Sequence, residues 1–71
     1  MTKFLLQTFA IAGAKAELEK WEGEVEFYSK QLENPDIGEY YEKECKEKRD
    51  EAIRNTYTYR GFIREIENYD F

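Results

Sequence analysis

The segment RNTYTYRGFIR, residues 54–64, contains three arginines and no acidic residue in a chain of net charge −5. Guanidinium groups bind phosphates and carboxylates through paired hydrogen bonds, and a base can stack on a tyrosine ring. Helical spacing predicts that four side chains share an exposed face, which we name the arginine face: Arg54, Tyr57, Arg60 and Arg64. The arginine face is a candidate partner-binding site, although arginines on an exposed helix face near its C-terminus more often form a solvated surface.

Carboxylates are the other chemically active groups, and the stretches EGEVEF and EYYEKECKEKRDEA hold them in pairs. A general acid needs an environment that shifts its pKa, and a small helical chain offers no cleft to supply one. The chain contains no histidine and one cysteine, Cys45, which excludes an internal disulfide and a Cys/His nucleophile pair. We therefore expect no enzyme activity, no catalytic residue, no cofactor and no metal site.

The elements that position these residues follow from a heptad pattern in the first half of the chain. Apolar residues recur at steps of three and four, with one polar exception at Gln7, and this seam comprises Phe4, Gln7, Ile11, Ala14, Leu18, Trp21, Val25, Tyr28 and Leu32. Such spacing predicts an amphipathic helix over about residues 3–33. Aromatic residues on a helical period normally pack in a core, so we expect Trp21 and Tyr28 to be structural.

The segment ENPDIG, residues 33–38, contains the only proline and predicts a turn. Pro35 suits the first turn of a second helix, and Asp36 with Glu39 offers an alternative capping pair. The second helix is predicted over about residues 36–69, with a seam of Tyr41, Cys45, Lys48, Ala52, Asn55, Tyr59, Phe62, Ile66 and Tyr69.

A short turn makes the two helices antiparallel and pairs residues whose numbers sum to about 73. This register places Trp21 beside Ala52 and Tyr28 beside Cys45, so that large residues meet small ones. The prediction is one all-α domain over residues 1–71, an antiparallel two-helix hairpin of the helical coiled-coil type.

One side of the first helix is apolar although it faces away from the second helix. We name it the outer face, and its members are Leu5, Leu6, Phe9, Ala12, Gly13 and Ala16. A contiguous apolar patch that stops at Glu17 is typical of an interface. We expect a homodimer that joins the open ends of two hairpins into a four-helix bundle around this face. Close approach of another backbone would explain Gly13 and Gly61.

Three function classes remain. The first is a small acidic interaction protein, an adaptor, assembly subunit or protein inhibitor, that binds a protein partner. The second is a phage or mobile-element inhibitor of nucleic-acid-handling machinery that imitates DNA charge, an idea weakened because 11 bases offset 16 acids. The third is a nucleic-acid contact through the arginine face, against which the acidic net charge argues. No run of about 20 apolar residues is present, so we expect no membrane span and a cytoplasmic location.

Overall fold

The computed structural model describes residues 2–68 as an antiparallel pair of helices. Helix α1 spans Thr2–Leu32 and helix α2 spans Glu39–Asn68. The two helices pack along their length, and no strand occurs within the described residues. The predicted all-α hairpin is therefore confirmed. Tyr69, which was predicted in the second seam, lies outside this range.

The connection differs from the prediction because Pro35 belongs to the turn and not to α2. The Asn34 carbonyl accepts the amide of Ile37 at 3.2 Å, and the Asn34 side-chain oxygen accepts the amide of Asp36 at 3.0 Å. An asparagine that bonds the backbone two residues on mimics a backbone turn. The Gly38 carbonyl accepts the Glu42 amide at 2.8 Å, so Gly38 and not Asp36 is the N-cap of α2.

The seam of α1 lies where the heptad pattern placed it. Ala14 is buried, and the larger seam residues are half-buried: Ile11, Leu18, Trp21, Val25, Tyr28 and Leu32. Phe4 is the exception, since its side chain is 68% exposed. The predicted register placed Phe4 beside Tyr69, which lies outside the described residues.

The seam of α2 agrees with the prediction at some positions and differs from it at others. The buried residues are Cys45, Ala52, Thr56, Ile63 and Ile66. Positions 45, 52 and 66 were predicted. Thr56 and Ile63 are buried where the prediction had Asn55 and Phe62. Lys48 and Phe62 are exposed, and Asn55 is half-buried.

In the middle of α2, the structure buries Thr56 and not the predicted Asn55. Its hydroxyl donates to the Ile53 carbonyl at 2.7 Å, which satisfies its polar group inside the helix pair. The Asn55 amide has two donors and one acceptor oxygen, so burying it needs more partners than a narrow seam offers. The seam therefore follows Thr56 and, seven residues on, Ile63.

Two side-chain contacts connect the helices. The Gln7 side-chain amide donates to the Ile66 carbonyl at 2.7 Å, and these residue numbers sum to the predicted 73, whereas those of Arg60 and Glu22 sum to 82. Ile66 lies in the last turn of α2, where carbonyls lack partners within the helix, so Gln7 caps that helix from the side. Arg60 also bridges the helices, since its Nη2 lies 2.8 Å from Oε2 of Glu22.

The described molecule is a thin rod with Cα extents of 55 × 13 × 13 Å. Its fully or nearly buried apolar residues are few and mostly small: Ala14, Cys45, Ala52, Ile63 and Ile66. Trp21 places its indole Nε1 out of contact with solvent and without a hydrogen-bond partner among the described residues. A core this small leaves most large apolar side chains partly in contact with water.

Candidate functional site

The outer face of α1 is exposed in the monomer. Leu5, Leu6 and Phe9 are 45%, 59% and 70% exposed, and the smaller members Ala12, Gly13 and Ala16 are exposed as well. At 100° per residue, Phe9 and Ala16 point directly away from the seam, while the other members flank them. The structure thus brings all six predicted residues onto one uncovered surface.

The two glycines at the same level of the hairpin have open surroundings within the chain. A Cβ added at Gly13 or Gly61 would meet no atom within 4 Å. Packing between α1 and α2 therefore does not require glycine at either position. A glycine in a helix interior costs about 1 kcal/mol relative to alanine, and the described residues show no close contact at either glycine that would require it.

The arginine face divides into two parts. Arg54, Tyr57 and Arg64 are exposed, with Tyr57 at 68%, and Arg64 also lines a groove beside α1. Arg60 turns toward α1, where its guanidinium pairs with Glu22. Because this pair is about half exposed, its contribution to stability is small, on the order of 1 kcal/mol or less.

Arg60 and Arg64 lie near Lys15, which was not part of the predicted site. They line a shallow groove of about 360 Å³ together with Lys15 and Leu18 of α1 and with Ile63 and Glu67 of α2. Three cations and one acid surround an apolar floor. Lys15 could have been found by applying the antiparallel register to its position, because that register brings the level of Lys15 close to Arg60.

A second small cluster joins Cys45 and Tyr41 near the turn. Cys45 is free and fully buried, which confirms its expected role as a small core residue. A hydrogen bond with the Cys45 side chain raises the pKa of Tyr41, and desolvation adds to the rise. Tyr41 was predicted in the seam but is 40% exposed, so its ring covers the edge of the helix pair.

Exposed aromatic side chains are present at both ends of the rod. Besides Phe4 and Phe9, Phe62 is 48% exposed near the open end of the hairpin. Near the turn, Phe27 is 51% exposed and Tyr40 is 84% exposed. Phe27 and Phe62 were not included in the predicted interaction surface, and Phe62 was assigned to the seam.

The described residues contain no cluster of three or more histidine, cysteine or acidic side chains that could hold a metal ion. Neither α1 nor α2 combines the length and apolar content that crossing a membrane requires. No protein-family model matches the chain, and neither a curated protein nor a solved structure is significantly similar to it.

Proposed function

We propose that the protein is a small acidic interaction protein that works by protein–protein binding and associates with itself through the outer face. The observation that carries this proposal is the exposure of Leu5, Leu6 and Phe9 side by side on a highly charged chain. Single exposed apolar residues are common on protein surfaces, whereas a contiguous patch of this kind is typical of an interface.

The gain from covering this patch is large relative to the stability of a small domain. Burying a leucine or phenylalanine side chain fully stabilises by about 1.5–3 kcal/mol, and each of these residues still has about half of its surface or more to bury. Two hairpins that share the outer face form a four-helix bundle with a larger core than the monomer has. A twofold arrangement uses the same patch on both copies and closes on itself.

Substitution of Phe9 by glutamate tests this proposal. Phe9→Glu places two symmetry-related carboxylates in the proposed interface, so the variant should be monomeric at concentrations at which the wild type is dimeric. The measurement is size-exclusion chromatography with light scattering. Tyr57→Glu is the matched control, because Tyr57 is 68% exposed on α2 and lies outside the outer face.

The control should dimerise like the wild type, and both variants should keep their helical circular dichroism. Equal masses for the wild type and Phe9→Glu would contradict the outer face as the site of association. Loss of dimer in Tyr57→Glu alone would assign self-association to the arginine face instead.

A second candidate function is inhibition of a nucleic-acid-handling protein by charge mimicry. The observation that favours it is the segregation of charge: residues 17–53 contain 13 acidic and 6 basic residues, a net charge of −7. On a rod 13 Å wide, such a segment presents a dense negative field to a DNA-binding groove. This candidate predicts that proteins captured from the native host on the immobilised chain are released by duplex DNA. Capture that resists excess DNA would count against it.

A further inference from the structure

Charge is distributed unevenly along the hairpin. The half next to the turn, residues 17–53, carries a net charge of −7 and is here named the loop half. The opposite half of the described residues, 2–16 and 54–68, contains five basic and two acidic residues, a net charge of +3, and is named the open half; Asp70, beyond the described range, makes the sum +2 for the full sequence. The acid-free segments 2–16 and 54–64 both belong to this half. The rod is therefore electrically polar along its axis.

One pair of exposed apolar side chains lies at nearly equal distances from the midpoint of α1. Leu6 and Phe27 are 59% and 51% exposed, and they are three heptads apart on one line of α1. Helix α1 spans residues 2–32 and has its midpoint at residue 17, so Leu6 and Phe27 lie almost equally far on either side of it. In an antiparallel pair of α1 helices that overlap fully, Leu6 of each copy meets Phe27 of the other.

The area available to a dimer also favours full overlap. A face of the rod measures about 55 by 13 Å, or about 700 Å² per copy and about 1,400 Å² for two copies. Stable interfaces bury about 1,200–2,000 Å² in total. Residues 5–16 rise only about 18 Å along the helix, so contact limited to them covers about 470 Å² in total. Contact between the open ends alone therefore covers about a third of the area that full overlap covers.

We propose that two copies pair antiparallel along the whole rod, with the open half of each lying against the loop half of the other. This inference rests on the proposed self-association and specifies its geometry. The arrangement places +3 against −7 twice, whereas a parallel pair places like charges together along its entire length. It covers Phe27 as well as the outer face, and as a twofold pair it leaves no free end to extend into a fibre.

Distance measurement between spin labels tests the geometry in the full-length chain. Gly38→Cys provides the label site, because a Cβ there meets no atom within 4 Å and Gly38 has no positive φ. Cys45 is fully buried, so the label attaches at position 38. With 1.5 Å rise per residue, full antiparallel overlap places the two labels about 55–60 Å apart. A dimer joined by its open ends places them about 75 Å apart or more, and a parallel dimer about 20 Å apart.

A pair of charge insertions gives an independent measurement. Phe27→Glu should raise the dimer dissociation constant at least about tenfold, as Leu6→Glu should, because both side chains are buried in the proposed interface. Tyr57→Ser, which changes an exposed side chain of α2 without changing the charge of the open half, is the control and should leave the constant unchanged. An unchanged constant in Phe27→Glu, or a label distance near 75 or 20 Å, would overturn the antiparallel overlap while self-association stands. A wild type and labelled chain that stay monomeric at every concentration would overturn the proposed self-association itself.

Discussion

Ile63 and Phe62 are neighbouring apolar residues of which only one can face α1. The structure buries Ile63, at 8% exposure, and leaves Phe62 at 48%. Sequence spacing alone could not separate them, because steps of three and four both continue the pattern from Tyr59. Thr56 favours burial of Ile63, because its hydroxyl donates to the Ile53 carbonyl and it lies on the same side of α2 as Ile63.

This assignment predicts different costs for two alanine substitutions. Ile63→Ala should lower the free energy of unfolding by about 2–4 kcal/mol, because it leaves a cavity between the helices. Phe62→Ala should lower it by less than about 1 kcal/mol in the monomer, since much of its side chain already contacts water. Urea unfolding at a low protein concentration measures both values. A larger loss in Phe62→Ala would restore the seam that the sequence predicted.

At the scale of elements, the existence and pairing of the helices could be predicted, and the predicted ends fall within one residue of the observed ends except at the start of the second helix. Predicted helix ends of 3–33 and 36–69 compare with Thr2–Leu32 and Glu39–Asn68. The difference at the second helix arises because Pro35 suits a helix start and a turn equally well. Asn34 decides between them by accepting two turn hydrogen bonds, which sequence spacing does not reveal.

The outer face could be predicted because all of its members belong to one helix and follow one period. The groove at Lys15, Arg60 and Arg64 could not, because it combines side chains from two helices. Its geometry depends on the register and on the pairing of Arg60 with Glu22. The predicted arginine face treated Arg60 as part of a single helix surface and therefore missed its turn toward α1.

At the scale of the whole molecule, the thin core and the uncovered apolar face both favour association with a second copy. A hairpin of 71 residues buries few large side chains, so its stability as a monomer is small. Anything that binds the folded form stabilises it by mass action, so binding of a second copy stabilises the fold more as the protein concentration rises. Folding and self-association are therefore expected to be coupled.

Sedimentation equilibrium of the wild type over a wide range of concentrations tests the central claim most directly. The account predicts that the mass rises from 8.6 kDa at high dilution to about 17 kDa, the mass of two copies, and then stays constant. The plateau is expected because a twofold interface closes on itself. A mass of 8.6 kDa at every concentration, with the outer face left in contact with water, would contradict the claim.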